Sequence, residues 1–380
     1  MAELSRGEMR RIARAFVRRS MRIGLRRGAF DAVRMLYNRT DPTCERFAFT
    51  VEEECWRTGA HTLLLSFASG RERLRYLLKP ESSLRKMSPF AEAIAKRADV
   101  SIFIGEDDDP NWAKGVEGRI RLTAPIREKL HDILDRRKVR WAYFGWPVPG
   151  AARTYGCGTR RFRDIFFDSI RRTFYGEVAR LCRIYRSLLE GGRTVRIMAE
   201  DGTDLSFRIT GRPILVDDGV ISDEDLKRGD VGVNIPAGEV FVAPIETSAD
   251  GSISFEEIAI PGFGKVRGLE LTFRDGRIRR YSAEDGERNF DNFLRANTGE
   301  KDRIAEFGIG TNPGAKYTGG SIIIDEKIFG TVHVAIGNNR GAYHGRNKAS
   351  SHLDMIKDMG NGEVLVDDRI VMRGGRPVKR

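Results

Sequence analysis

The chain has little cysteine, four residues in 380, and no two of them form a CxxC pair. Cys44, Cys55, Cys157 and Cys182 are scattered through the N-terminal half, which argues against a thiolate zinc cluster or a disulfide framework. Free thiols in a reducing compartment are the expectation. No apolar run approaches the ~20 residues that a membrane-spanning helix needs. The start of the chain shows no basic region followed by an apolar stretch and a cleavage site, so the expected location is the cytoplasm, with no membrane partner. Internal repeats and low-complexity linkers are absent, as are RRM, KH, helix-turn-helix and zinc-finger patterns.

What the chain does have is positive charge, a net +12 concentrated at its start. Arg10, Arg11, Arg14, Arg18, Arg19, Arg22, Arg26 and Arg27 recur at helical spacings, with Met9, Ile12, Phe16 and Val17 between them. An amphipathic arginine-rich helix of this kind serves in some proteins as a transit peptide or a phosphate-binding arm. More often it is a solvated helix that packs one face on its own domain. Basic surface alone gives affinity without function, and no recognition module accompanies it, so nucleic acid is not an expected partner.

Length and composition predict a soluble α/β protein of two domains, residues 1–190 and 191–380. In the first, helical segments at about 8–37, 124–138 and 160–190 alternate with apolar strands at 61–67, 99–104 and 140–145. This is the pattern of a mainly parallel sheet with flanking helices. After the glycine pair at 191–192, the best hinge candidate, the character shifts to β-branched runs broken by Gly and Asp. Hairpins are expected at EDGTD, ADGS and RDGR, because Asp-Gly tolerates the positive φ of type I′ turns. A helix at about 284–297 completes an α+β domain rich in antiparallel hairpins.

That second domain holds the chemistry. Three of the five histidines, His333, His344 and His352, lie close together, and the stretch ends in the pair His352-x-Asp354. Side chains two residues apart on a strand share a face, so His352 and Asp354 are placed to share one ion or bridge two. Burying an acid beside a histidine is costly unless the pair binds something or pairs internally. Glu239 in NIPAGEVFVAP and Glu306 in EFGIGTNP sit in short apolar runs flanked by Gly and Pro, where a carboxylate readily faces a cleft.

The order and spacing of NIPAGEVFVAP, EFGIGTNP, DEKIFGTVHVAIG and SSHLDMI resemble the M29 family of metallo-aminopeptidases. Weaker echoes in GAHTLLLSFA, ADVSIFIGEDDDP and RWAYFGWPVPGAA extend the likeness over nearly the whole chain. The resemblance implies five metal ligands, Glu239, Glu306, His333, His352 and Asp354, and two divalent ions, with Zn, Co or Mn suited to such nitrogen and oxygen donors. It implies that Glu306 bridges the ions and takes the proton of the attacking water, a role exchangeable with Glu239, while the amides of GIGTNP face the developing charge. Where many members carry a catalytic tyrosine, the aligned residue is Arg340, with Tyr343 and His344 just beyond. Arg340 or Tyr343 is expected to fill that role, Arg340 as a permanently charged oxyanion partner.

The expected activity is therefore an aminopeptidase acting on short peptides, as a homodimer. Ring-cleaving 2,5-dihydroxypyridine dioxygenases resemble the same family and bind a single iron, which His333, His352 and Asp354 would suffice to hold. A basic nucleic-acid-binding protein is the third reading.

Overall fold

Ser5 caps the first helix, Arg6–Ala15, in a reciprocal capping box with Glu8. The helix continues with wider i→i+5 bonding through Ser20. Met9, Ile12, Ala13, Phe16 and Val17 are buried while Arg10, Arg11, Arg14, Arg18 and Arg19 are exposed, so the arginine-rich segment lays an apolar face on its own domain. Arg22 is half-buried and paired with Asp223 at 2.6 Å. This computed structural model describes residues 3–24 and 30–378, and Arg26 and Arg27 fall outside the described residues.

The helix expected over 8–37 is corrected at its second half. Ala32–Asn38 is a strand in which Val33, Met35 and Tyr37 point inward. Period two in AVRMLYN prevails over the helical spacing of the arginines, because strand pairing on both sides buries that apolar face. This strand lies between His61–Phe67 and Val100–Ile104 in a five-stranded parallel sheet that continues through Arg140–Phe144 to Gly232–Ile235.

The chain packs as two units, one of residues 1–167 with 219–236 and the other of 168–218 with 237–380. The division thus differs from the one expected near 190. The helix Glu177–Leu189 buries Val178, Cys182, Tyr185 and Leu189 in the core of the second unit, and Gly232–Ile235 returns to the parallel sheet of the first. Gly191 and Gly192 consequently lie inside the second unit and not between units.

The second unit contains two antiparallel sheets around one core. The larger runs, in spatial order, Arg277–Ser282, Gly264–Arg274, Asp250–Ile260, Asp204–Arg208, Thr194–Ala199, Gly362–Val366, Arg369–Arg373 and Arg376–Pro377. The RDGR turn has Asp275 and Gly276 both at positive φ, as a type I′ turn requires, and EDGTD also closes a hairpin. ADGS does not: Asp250 and Gly251 begin a strand that pairs with Asp204–Ser206. The smaller sheet is a meander in chain order, β1 (Leu215–Asp217), β2 (Glu239–Val242), β3 (Ile304–Gly310), β4 (Thr331–Gly337) and β5 (His352–Asp358). Phe290 and Phe293 of the helix Glu287–Ala296 join the shared core. No helix among the described residues is long and apolar enough to cross a membrane.

In the first unit, Arg140 pairs with Asp31, side chains 5% and 1% exposed, and donates to the carbonyls of Met21 at 2.7 Å and Arg22 at 2.8 Å. Asp31 also accepts from the amide of Gly24 at 2.8 Å. Removing one partner strands a buried charge, so Arg140→Ala is expected to cost about 3–5 kcal/mol of unfolding free energy, read from urea denaturation. A loss under about 1 kcal/mol, the range of an exposed pair, would show that water reaches Asp31.

Candidate metal centre

Antiparallel register places five ligand-type side chains on one face of the smaller sheet. Glu239 stands opposite Gly310, His333 opposite Gly308, Ala335 opposite both Glu306 and Asp354, and His352 opposite Gly337. Residues directly opposite each other share a face, and so do residues two apart on one strand. A bulge between Ile304 and Glu306 resets that alternation. Ile304 consequently enters the apolar core while Glu306 turns to the opposite face. The small residues on this face make room. A Cβ on Gly308 would lie 2.1 Å from Nε2 of His333, and one on Gly310 would lie 2.1 Å from the carbonyl oxygen of Ile328. Only glycine lets the imidazole and the Glu326–Ile328 segment lie that close over the sheet.

Within this set Glu306 occupies the centre. Its Oε1 is 3.4 Å from Nε2 of His333 and its Oε2 is 3.2 Å from Nε2 of His352. Oε2 of Glu239 is 3.6 Å from Nε2 of His333, and Oδ1 of Asp354 is 3.1 Å from Nε2 of His352. Two groups result, Glu239–Glu306–His333 and Glu306–His352–Asp354, each with its ligand atoms within 4.8 Å of one another. His333, His352 and Asp354 do not form such a group by themselves.

The electrostatics favour a cation here. Burial alone would drive His333 toward the neutral form, but Glu306, Glu239 and Asp354 outweigh it and raise its pKa to about 9. His352 is likewise penalised by burial yet held well above the ordinary histidine value by Asp354 and Glu306. Burial would raise Glu306, and the two imidazoles pull it below its usual range instead. The carboxylates thus demand positive charge at the two Nε2 atoms. Nδ1 of His352 lies 2.7 Å from the carbonyl oxygen of Asn338, which fixes that nitrogen as the donor and leaves Nε2 to face a ligand. Nitrogen and carboxylate donors gathered on one buried face fit divalent cations.

Residues 29–362 match the model of the thermophilic metalloprotease family, M29. The chain belongs to that family. It is a metal-dependent hydrolase, a metalloprotease. Two solved structures share the M29 fold seen here: wild-type AmpT from Thermus thermophilus, with a TM-score of 0.75 at 20% identity, covering 98% of this chain and 99% of that one, and 2,5-dihydroxypyridine dioxygenase from Pseudomonas putida KT2440, with a TM-score of 0.63 at 16% identity, covering 99% and 98%. At such identities these likenesses concern the fold. No curated protein matches the chain.

Around this cluster of carboxylates and imidazoles the structure adds residues that sequence reasoning missed. Lys327, fully buried, donates to Glu239 at 2.9 Å and Glu326 at 2.6 Å, with Asp217 at 3.6 Å. Burial raises the pKa of Glu326, and the Lys327 ammonium opposes it. The adjacent Glu326-Lys327 pair was the available signal, but such a pair is usually solvated. One expectation is corrected. The amides of Thr311 and Asn312 donate to the carbonyl oxygens of Gly238 and Lys327, and Pro313 has no amide hydrogen, so the TNP end of GIGTNP has no amide to offer a developing charge.

The three loop residues also separate. Tyr343 stacks on His352, ring centroids 4.9 Å apart and planes 20° from parallel, and meets Phe241 edge-on. Arg340 and His344 are exposed. His344 adopts φ 58°, and its carbonyl oxygen accepts from Arg212 at 2.7 Å. Arg212 also bonds Glu246 at 2.6 Å, and Glu246 accepts from the amide of Arg346 at 2.6 Å. The amide of Asn347 donates to Oδ1 of Asn339 at 2.8 Å. This network pins both ends of the glycine-rich loop and sets Tyr343 against His352.

Because the His333 ring lies over Gly308, Gly308→Ala should displace it and weaken zinc binding by about 10- to 100-fold in a calorimetric titration, with far-UV circular dichroism unchanged. Parent-like zinc affinity would show that His333 does not hold the cation.

Proposed function

We propose that this protein removes N-terminal residues from short peptides with the help of two divalent cations, Zn, Co or Mn. The observation that carries the reading is the central carboxylate of Glu306, one oxygen toward His333 and the other toward His352. Glu239 and His333 would hold one cation, His352 and Asp354 the other, and Glu306 would touch both. Cations bound there lower the pKa of a shared water and polarise the scissile carbonyl.

The chain's own groups then move the protons and orient the substrate. Glu306 takes the proton of the attacking water, since it is the carboxylate nearest both imidazoles. Lys327 holds one oxygen of Glu239 in place, leaving the other to face His333. We assign the oxyanion donor to Tyr343, which stacks on His352, and not to the exposed Arg340. Burial and the surrounding carboxylates raise its pKa far above the usual phenol value, so it stays a protonated donor across the working range. A single-iron oxygenase needs only three ligands, and the buried carboxylates of Glu239 and Glu306 beside His333 are surplus to it.

Glu306→Gln should lower kcat on aminoacyl amides by about 10²- to 10⁴-fold with KM little changed. Tyr343→Phe should cost about 10²-fold in kcat, and Arg340→Ala far less. A Glu306→Gln effect confined to KM would move the proton acceptor elsewhere, and a kcat ranking with Arg340 above Tyr343 would reverse the assignment in the loop.

A further inference from the structure

Two ring contacts hold the Tyr343 side chain, the stack on His352 with centroids 4.9 Å apart and the edge-on contact with Phe241 at 5.9 Å. Aromatic pairs of this kind tolerate centroid separations of about 4.5–7 Å. A hydrogen-bond donor to an oxyanion has far less latitude, about 2.7–3.1 Å. Ring packing therefore brings the phenol to the site without fixing its hydroxyl, and the aim must come from the backbone that carries it.

That backbone is a poor mount by itself. The loop between β4 and β5 contains Gly341 and Gly345, and Arg340 and His344 on either side of Tyr343 are exposed. Arg212 supplies the missing support. One nitrogen of its guanidinium donates to the carbonyl oxygen of His344, the residue after Tyr343, at 2.7 Å, and the other donates to Glu246 at 2.6 Å. The second oxygen of Glu246 accepts from the amide of Arg346 at 2.6 Å. Both side chains of this pair are nearly buried, 10% and 11% exposed, so water competes little with either bond. Glu246 is itself clamped: a Cβ on Gly276 would lie 1.8 Å from its carbonyl oxygen, so the RDGR turn closes directly on its backbone.

The same frame reaches the strand that carries Glu306. The buried Asn339 donates to the carbonyl oxygen of Ala305 at 3.1 Å, and the buried Asn347 to that of Ile304 at 2.7 Å. These carbonyls belong to the bulge that turns Glu306 toward the ligand face. The loop is thus referenced to the residues just before Glu306 at one point and to Arg212 and Glu246 at another.

From this frame we infer that Arg212, paired with Glu246, is a positioning residue of the reaction, fixing the backbone beside Tyr343 so that its hydroxyl keeps a set distance from the carbonyl under attack. The inference rests on the aminopeptidase reading above and on its assignment of Tyr343 as oxyanion donor. Its effect on catalysis passes through Tyr343. A guanidinium is needed because its planar fork donates to His344 and Glu246 at once, whereas an ammonium keeps the charge without the fork.

The test is a double-mutant cycle on the zinc-loaded full chain, with leucine amide and alanine amide as substrates. Arg212→Lys leaves a cation beside the buried Glu246 and should lower kcat by about 10- to 100-fold, with KM and zinc content close to the parent values. In a Tyr343→Phe background the same substitution should cost less than about 2-fold, because the group it positions is gone. Hydrogen exchange on the metal-free protein should quicken in residues 338–351 of Arg212→Lys and stay as in the parent over β3 and β5. Glu246→Gln, of equal size, should reproduce the pattern from the other end of the pair and serves if Arg212→Lys does not fold. Parent-like kcat, an equal loss in both backgrounds, a loss that follows zinc content, or unchanged loop exchange overturns the inference while leaving the aminopeptidase reading intact. Parent-like kcat in Tyr343→Phe alone removes the oxyanion assignment and the inference with it, and hydrolysis of neither amide by the parent removes the aminopeptidase reading and the inference together.

Discussion

Three carboxylates and two imidazoles share one face of an antiparallel sheet, with Glu239, Glu306 and His333 buried and His352 and Asp354 half-buried, and the repulsion among Glu239, Glu306 and Asp354 is the constraint around which the second unit is arranged. Carboxylates this close in a low-dielectric site cannot all be ionised without positive charge between them. The carboxylates raise the pKa values of His333 and His352 against the effect of burial, and Lys327 lies 2.9 Å from Glu239. A divalent cation would supply the positive charge more effectively, which fits a chain of the thermophilic metalloprotease family.

The surrounding structure follows from holding that face open and rigid. The bulge before Glu306 turns one strand position from the core to the site, and Gly308 leaves space for the His333 ring. Gly310 admits the segment that carries Lys327 to Glu239. On the far side of the site, Arg212, Glu246, Asn339 and Asn347 anchor the loop that lays Tyr343 on His352. Behind the sheet, Ile304, Phe307, Ile309, Val332, Val334, Leu353 and Met355 face a shared apolar core, so strand alternation separates chemistry from stability residue by residue.

Much of this was legible in the sequence, for identifiable reasons. His352-x-Asp354 could be read because period two puts both side chains on one face, and the parallel-sheet strands at 61–67, 99–104 and 140–145 stand out as short apolar runs. Glu239, Glu306 and His333 were visible only through the order of their motif blocks, since strand pairing across long separations is what brings them together. His344 is the false member of the histidine cluster: a left-handed turn holds it on the exposed loop, and proximity in sequence is not proximity in space. The strand Ala32–Asn38 was hidden by arginines that continue the helical spacing, and Lys327 was hidden because nothing local distinguishes a buried lysine from a solvated one.

The central claim is that Glu306 lies between two cations. Anomalous diffraction from crystals grown with zinc or cobalt tests it directly. The account predicts two peaks about 3.5–4 Å apart, one beside His333 and one beside His352, with the Glu306 carboxylate between them. A single peak, or a pair that leaves Glu306 out of contact with either ion, would contradict it.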